Sequence, residues 1–346
     1  MAYTTINKSS DHFSATTYTG NGSASTALTT GTFQPDWVWF KNRGTTEAHL
    51  LMDAVRGATK YIQTASTAVE GTSSDKISAF TSTGVTLGSG AETNENSQPL
   101  VCWSWKANGA GSANTDGSIN TTATSANTTA GFSIVKYTGT GSNATIGHGL
   151  GVAPKMIIVK NLTDARSWGV FHDSLGATQG IDLDGTGTAG SAATYWNNTA
   201  PTNSVFSIGT ANNTGAAQTY VAYCFAEKTG FSKFGSYVGN GNTDGAFVYT
   251  GFKPAFVMLK YASPSGGVGN WGIHDSKRDV DNPVQKGLIA NSTAIEDSHD
   301  FMDILSNGFK LKSTSSNRNE NGSTYIFMAF AEAPLVGSNN TPATAR

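Results

Sequence analysis

Three short segments carry apolar residues on both alternate faces: DWVWFKN from Asp36, KMIIVKN from Lys155 and AFVMLKY from Ala255. Side chains of a strand alternate between its two faces. One face holds Trp37 and Trp39, Met156 and Ile158, or Phe256 and Met258; the other holds Val38 and Phe40, Ile157 and Val159, or Val257 and Leu259. A strand apolar on both faces is predicted to be central and covered on both sides. Pro35, Pro154 and Pro254 precede the runs and mark strand starts, because proline cannot donate a ladder hydrogen bond. Lys41, Lys160 and Lys260 end them, and are read as the exit into solvent.

A second type of strand closes each stretch: VCWSWKA from Val101, VAYCFAE from Val221 and IFMAFAE from Ile326. One face is bulky (Val101, Trp103, Trp105; Val221, Tyr223, Phe225; Ile326, Met328, Phe330). The other is small (Cys102, Ser104; Ala222, Cys224, Ala226; Ala329, Ala331). The large face is expected to fill a sandwich core and the small face to admit another layer. Further strands are expected at KYIQT, GVTLG, FSIG and GFKLK, and a short helix over Thr293–Leu305.

The spacing is periodic. Tyr18 to Pro35, Tyr137 to Pro154 and Tyr237 to Pro254 are each 17 residues, and a lysine follows each proline by six. A Y-x-G-x-G phrase opens each stretch, and a hydrophobic-Asp step recurs at Asp53, Asp173 and Asp275. Repeats of this kind define the architecture before any single residue does. The expectation is an all-β chain of three tandem β-sandwich repeats of about 100 residues, with jelly-roll topology one option for the strand order. The boundaries are 1–107, 131–229 and 230–346, the last with a C-terminal tail. Residues 108–130, NGAGSANTDGSINTTATSANTTA, read as a flexible linker.

Composition narrows the classes. Charged residues are 13% of the 346, about half the usual ~25%, and the net charge of -2 offers no basic field for nucleic acid. No run approaches the roughly 18 apolar residues of a membrane span. The start, MAYTTINKSSDHF, lacks the apolar core of a secretory signal; host-cytoplasmic synthesis with release by lysis fits that. Cys102 and Cys224 fall on the small face of different repeats and are read as separate buried thiols.

The chemical motifs dissolve under inspection. Y-x-G-x-G is followed by a strand-like segment rather than a helix, so a tight turn is expected, not a phosphate loop. His172-Asp173-Ser174 and His274-Asp275-Ser276 cannot form a triad from adjacent residues, and the first repeat has Met52-Asp53-Ala54 there; a structural Asp in a turn covers all three. Asp182 with Asp184, and Asp279 with Asp281, are loop carboxylates that could hold calcium and otherwise read as solvated turns. No carboxylate spacing singles out a glycosidase pair. No cofactor, metal or catalytic residue is expected. Tyr195 and Trp196, in the polar stretch SAATYWNNTAP, are the ligand-binding candidates: aromatic residues beside Asn suit a sugar, with loop anchoring in the core as the competing role.

The opening DHFSATTYTGNGS, GTFQPDWVWFKNR, DAVRGATKY and the ending FAEAPLVGSNNTPATAR together resemble a family of tailed-phage proteins frequent in marine bacteriophages. The resemblance spans the chain and brings no catalytic residues. It implies a non-enzymatic virion structural protein, a tail fibre or receptor-binding component, or alternatively a capsid decoration protein on the head. The implied partners are other virion proteins and a host surface glycan or receptor. By analogy with viral appendages the assembly would be a homotrimer.

Overall fold

The computed structural model describes residues 3–263 and 269–336; the C-terminal tail expected beyond them lies outside the described residues. The chain is an all-β protein of antiparallel sheets. One strand order recurs along it: the opening strand pairs with the closing strand, which pairs with the central strand, from which a meander runs outward. In the first unit the order is Phe13–Thr19, Pro99–Trp105, Trp37–Asn42, Leu50–Asp53, Lys60–Gln63, Gly71–Thr72. In the second it is Phe132–Thr138, Thr219–Phe225, Met156–Asn161, Gly169–His172, Gln179–Asp182, Gly190–Ser191. The third begins Ser232–Val238, Thr324–Pro334, Phe252–Tyr261, Trp271–Asp275, Val284–Ile289. A small second sheet covers one face of the first two units: Thr26–Thr29 with Gly84–Leu87 and Ile77–Thr81, and Ala144–Gly147 with Val205–Ile208. In the third unit the sheet instead continues from Val284–Ile289 into Asp297–Leu305, Gly308–Leu311 and Phe247–Tyr249.

The central strands are buried along their whole length in the first two units, as their two apolar faces require. Which face meets which layer is the reverse of the expectation. The small face of the closing strand points into the unit's own sandwich: Cys102 packs with Val38, Phe40, Leu50, Met52, Ile77, Val85 and Leu87, and Cys224 with Ile157, Val159, Phe171 and Phe206. The large face joins a single cluster containing side chains of all three units. Trp37 lies 4.7 Å from Tyr223 and 5.5 Å from Phe132, Trp103 lies 5.6 Å from Phe256, and Phe330 lies 5.5 Å from Trp105 and 6.0 Å from Phe225, centroid to centroid. These tilted and edge-on pairs are the arrangements aromatic quadrupoles favour. Bulky rings were needed because three sheets, not two, meet there.

Three further differences have local causes. Residues 108–130 are not a free linker: Ala123–Asn127 pairs with Phe132–Thr138, Ser112 bridges to Thr124 and Ile119 to Ile146. A polar composition sits well on a sheet edge, where backbone pairing and side-chain hydrogen bonds order it. Asp297–Leu305 is a strand, not part of a helix, because it forms a tight hairpin with Gly308–Leu311, Leu305 opposite Gly308; a short isolated helix cannot compete with a sheet ladder. The lysines that were to reach solvent are fully buried.

The Y-x-G-x-G phrase is a turn, with its residues doing separate jobs. Gly22, Gly141 and Gly241 have φ of +65°, +76° and +66°, the region that glycine tolerates. The tyrosine hydroxyls of Tyr18, Tyr137 and Tyr237 donate to the carbonyls of Thr93, Thr214 and Arg318, tying the turn to the loop before the closing strand.

Candidate functional site

Each unit clasps its neighbour with the same parts. Lys41 Nζ donates to the carbonyls of Thr45 and Glu47 in its own loop and to Thr293 of the third unit. Lys160 donates to Arg166 and, in the first unit, to Thr67. Lys260 donates to Gly269 and, in the second unit, to Gly185. The first unit therefore grips the third, the second the first, and the third the second, a closed cycle. Burial lowers all three lysines to about 8, yet they remain cations at neutral pH because carbonyl oxygens replace the lost water. Eight residues after Lys160, Trp168 Nε1 donates to the carbonyls of Gln63 and Ser66. Trp271 Nε1 donates to the backbone carbonyl of Asp182 at 3.0 Å. His49, eight residues after Lys41, instead accepts from Trp39 Nε1 of its own unit at 2.8 Å.

The recurring aspartates are not alike. Asp53 and Asp275 are buried in ion pairs with Arg56 and Arg278 three residues on. Each also accepts a bond from a closing-strand aromatic of another unit: Tyr223 Oη to Asp53 at 2.8 Å, and Trp103 Nε1 to Asp275 at 3.0 Å. Where Trp103 and Tyr223 stand, the third unit has Met328, which has no proton to give; by strand register the second unit has His172 where the others have the aspartate and Leu175 where they have arginine. Asp173 accordingly turns outward to Lys155. The clasp is present at two interfaces and absent, with all its members, at the other.

His172 and His274 are buried and held neutral: burial lowers His172 to about 4 and, aided by Arg318, His274 well below its usual range. His172 Nε2 meets the Phe327 carbonyl at 3.1 Å, a contact between the second and third units. His172 Nδ1 accepts the backbone N–H of Ser174 at 3.2 Å. Among the described residues no group of three or more His, Cys, Asp or Glu side chains could hold a metal ion. Asp279 accepts from the backbone N–H groups of Gln285 and Lys286.

Candidate residues converge at a pocket of about 230 Å³ on the second unit, lined by Gly180, Asp182, Gly185, Ala192 and Tyr195 among others. A short helical turn, Ala193–Trp196, sets Tyr195 and Trp196 side by side. Tyr195 is half-buried, its ring lying over Gly169 and Gly180, its hydroxyl 3.4 Å from Asp182 Oδ1. Trp196 is not a surface aromatic: it is buried under the turn, edge-on to Phe171. Burial and the neighbouring Asp184 raise Asp182 to about 6, while burial and Asp182 push Tyr195 to about 12. The loop on the far wall is fixed from behind by the third unit, through Lys260 to Gly185, Trp271 to Asp182 and Gly269 N–H to Thr186. The sequence could place Tyr195 and Trp196 together, but Gly180 and the supporting Lys260 are visible only once the units are assembled.

The other units fill the corresponding space. By register, Gly180 matches Tyr61 in the first unit and Gly287 in the third. Tyr61 carries its own ring there, and beside Gly287 the Phe301 ring occupies the place a Cβ would take.

A family model, described as "Domain of unknown function (DUF7483)", matches residues 8–334. The chain belongs to that family. Comparisons with curated proteins and with solved structures give no match.

Proposed function

We propose that this family member is a non-enzymatic structural protein of a phage particle, a tail-fibre or receptor-binding component that contacts the host surface. The observation that carries the reading is the shared aromatic core. Three sheets turn their bulkiest side chains toward one another, and buried lysines lock each unit to the next. An adhesion module needs just this: loops presented outward from a body that does not rearrange. The few charges and the abundance of Thr, Ser, Asn and Gly suit an exterior surface that must stay folded outside the cell. The resemblance of its end segments to tailed-phage proteins supports the same setting.

The test is gold-antibody labelling of intact particles of the source phage by electron microscopy. Label confined to the tail is the expected result. Label spread over the head would make the chain a decoration protein, and unlabelled particles from a lysate that contains the protein would overturn the virion reading.

A further inference from the structure

We infer that the pocket beside Gly180 is a binding site for one neutral pyranose ring bearing adjacent hydroxyl groups, with Asp182 as acceptor, Tyr195 as the wall and Trp196 as a donor beneath. The inference deepens the adsorption reading and rests on it for its biological sense, though not for its geometry.

Two independent observations point to a ligand. The first is the cavity, walled by an aromatic ring and a carboxylate, beside Gly180, whose match in the first unit is Tyr61. At about 230 Å³ it falls below the roughly 300–1,000 Å³ that drug-sized molecules occupy, and suits a single ring. The second is Trp196. Its indole N–H is buried and has no hydrogen-bond partner, and it lies 3.1 Å from where a Cβ on Gly180 would sit. Buried indole N–H groups ordinarily find an acceptor. Gly180 itself lines the pocket, so this N–H lies just behind the pocket wall.

The chemistry selects the class. A carboxylate accepts from two neighbouring hydroxyls at once, and the indole N–H gives to a third oxygen. The side of Tyr195 offers an apolar surface to ring C–H groups. Asp182 lines the pocket and Asp184 lies near enough to act on it, so an anionic sugar would bring like charge against them. The wall is already braced by Lys260 and Trp271, so little ordering cost opposes binding.

The test uses the full chain labelled with ¹⁵N at its seven tryptophans. The Trp196 indole signal is identified by its loss in Trp196→Phe. The probes are methyl α-mannopyranoside, methyl β-galactopyranoside, methyl β-glucopyranoside and, as the anionic comparison, N-acetylneuraminate. At least one neutral glycoside is expected to move the Trp196 signal saturably while the signals of the core tryptophans stay put. Asp182→Asn should weaken that binding about tenfold or more, equal to about 1.4 kcal/mol. Gly180→Ala should abolish it; unchanged core indole signals would certify that this variant is folded. Failure of all three neutral glycosides, preference for the anionic sugar, or unaltered affinity in Asp182→Asn would overturn the site. Tail label without sugar binding would sink the site and leave the adsorption reading standing; sugar binding without virion label would do the opposite.

Discussion

Arg278→Met is the sharpest test of how the units are joined. Arg278 and Asp275 are both completely buried. The guanidinium sits 5.5 Å from the Trp103 ring of the first unit and also donates to the Ile273 carbonyl and to Glu296, which in turn pairs with Arg43 of the first unit. Removing the cation leaves the Asp275 carboxylate with Trp103 Nε1 and the backbone N–H groups of residues 277 and 278. Deleting one member of a buried ion pair costs about 3–5 kcal/mol, because the surviving charge is stranded. That is a large part of the roughly 5–15 kcal/mol by which folded proteins are stable. In urea, with m near 3 kcal/mol/M, the midpoint should fall by about 1 M or more at pH 7.

The pH dependence separates this account from simple loss of packing. Arg278 and the backbone N–H groups hold the Asp275 pKa below its usual value against the effect of burial. The pair's contribution is therefore present above the unfolded carboxyl value, near 3.9, and is lost as pH falls through the depressed folded value. In Arg278→Met the stranded carboxyl instead prefers its proton, so its penalty fades as pH falls toward 4. The gap between variant and wild type should narrow from pH 7 to pH 4, and adding Asp275→Asn should recover part of the loss at pH 7. A cost below about 1 kcal/mol at pH 7, or the same cost at both pH values, would refute the stranded-charge argument.

Other outcomes follow from the same structure. Ile158 is fully buried on the face shared between units, so Ile158→Asp should cost several kcal/mol, about 3 or more; Pro154→Ala, at the start of the same strand, should move the melting temperature little. Lys41, Lys160 and Lys260 titrate near 8 when folded and near 10.4 when unfolded, so the folded state binds fewer protons in that window. Stability should thus rise as pH goes from about 8 to 10, and a variant with all three changed to Met should lose that slope in thermal melts. Cys102 and Cys224 are buried, with the Cys102 thiol pushed up to about 12 by desolvation. Both should react with a disulfide reagent only at the rate of unfolding, and rapid labelling of either in the folded protein would contradict its place in a sandwich core.

The sequence made the strands legible where alternation has one solution. WVWFKN and MIIVKN have no polar face, so they could only be central, and their burial follows. The ambiguity lay in what stands opposite a face. Trp103 and Trp105 announce a deep core, but not that two other sheets share it. The lysines show why such errors happen: Lys after a strand is usually solvent-exposed, and only the arrival of a second unit supplies the carbonyls that make burial tolerable. The same holds for the pocket. Tyr195 and Trp196 can be read from the chain as aromatics in polar company, yet their parts diverge, one lining the cavity and the other lying under it. What decides between them is Gly180, silent in the sequence, whose counterpart in the first unit is Tyr61 and in the third a glycine already covered by Phe301. Of the three matching positions, Gly180 is the one that lines this pocket. The repeated parts, the turn tyrosines and the lysine clasps, serve the joint body. The departures from the pattern are where a separate function has room to sit.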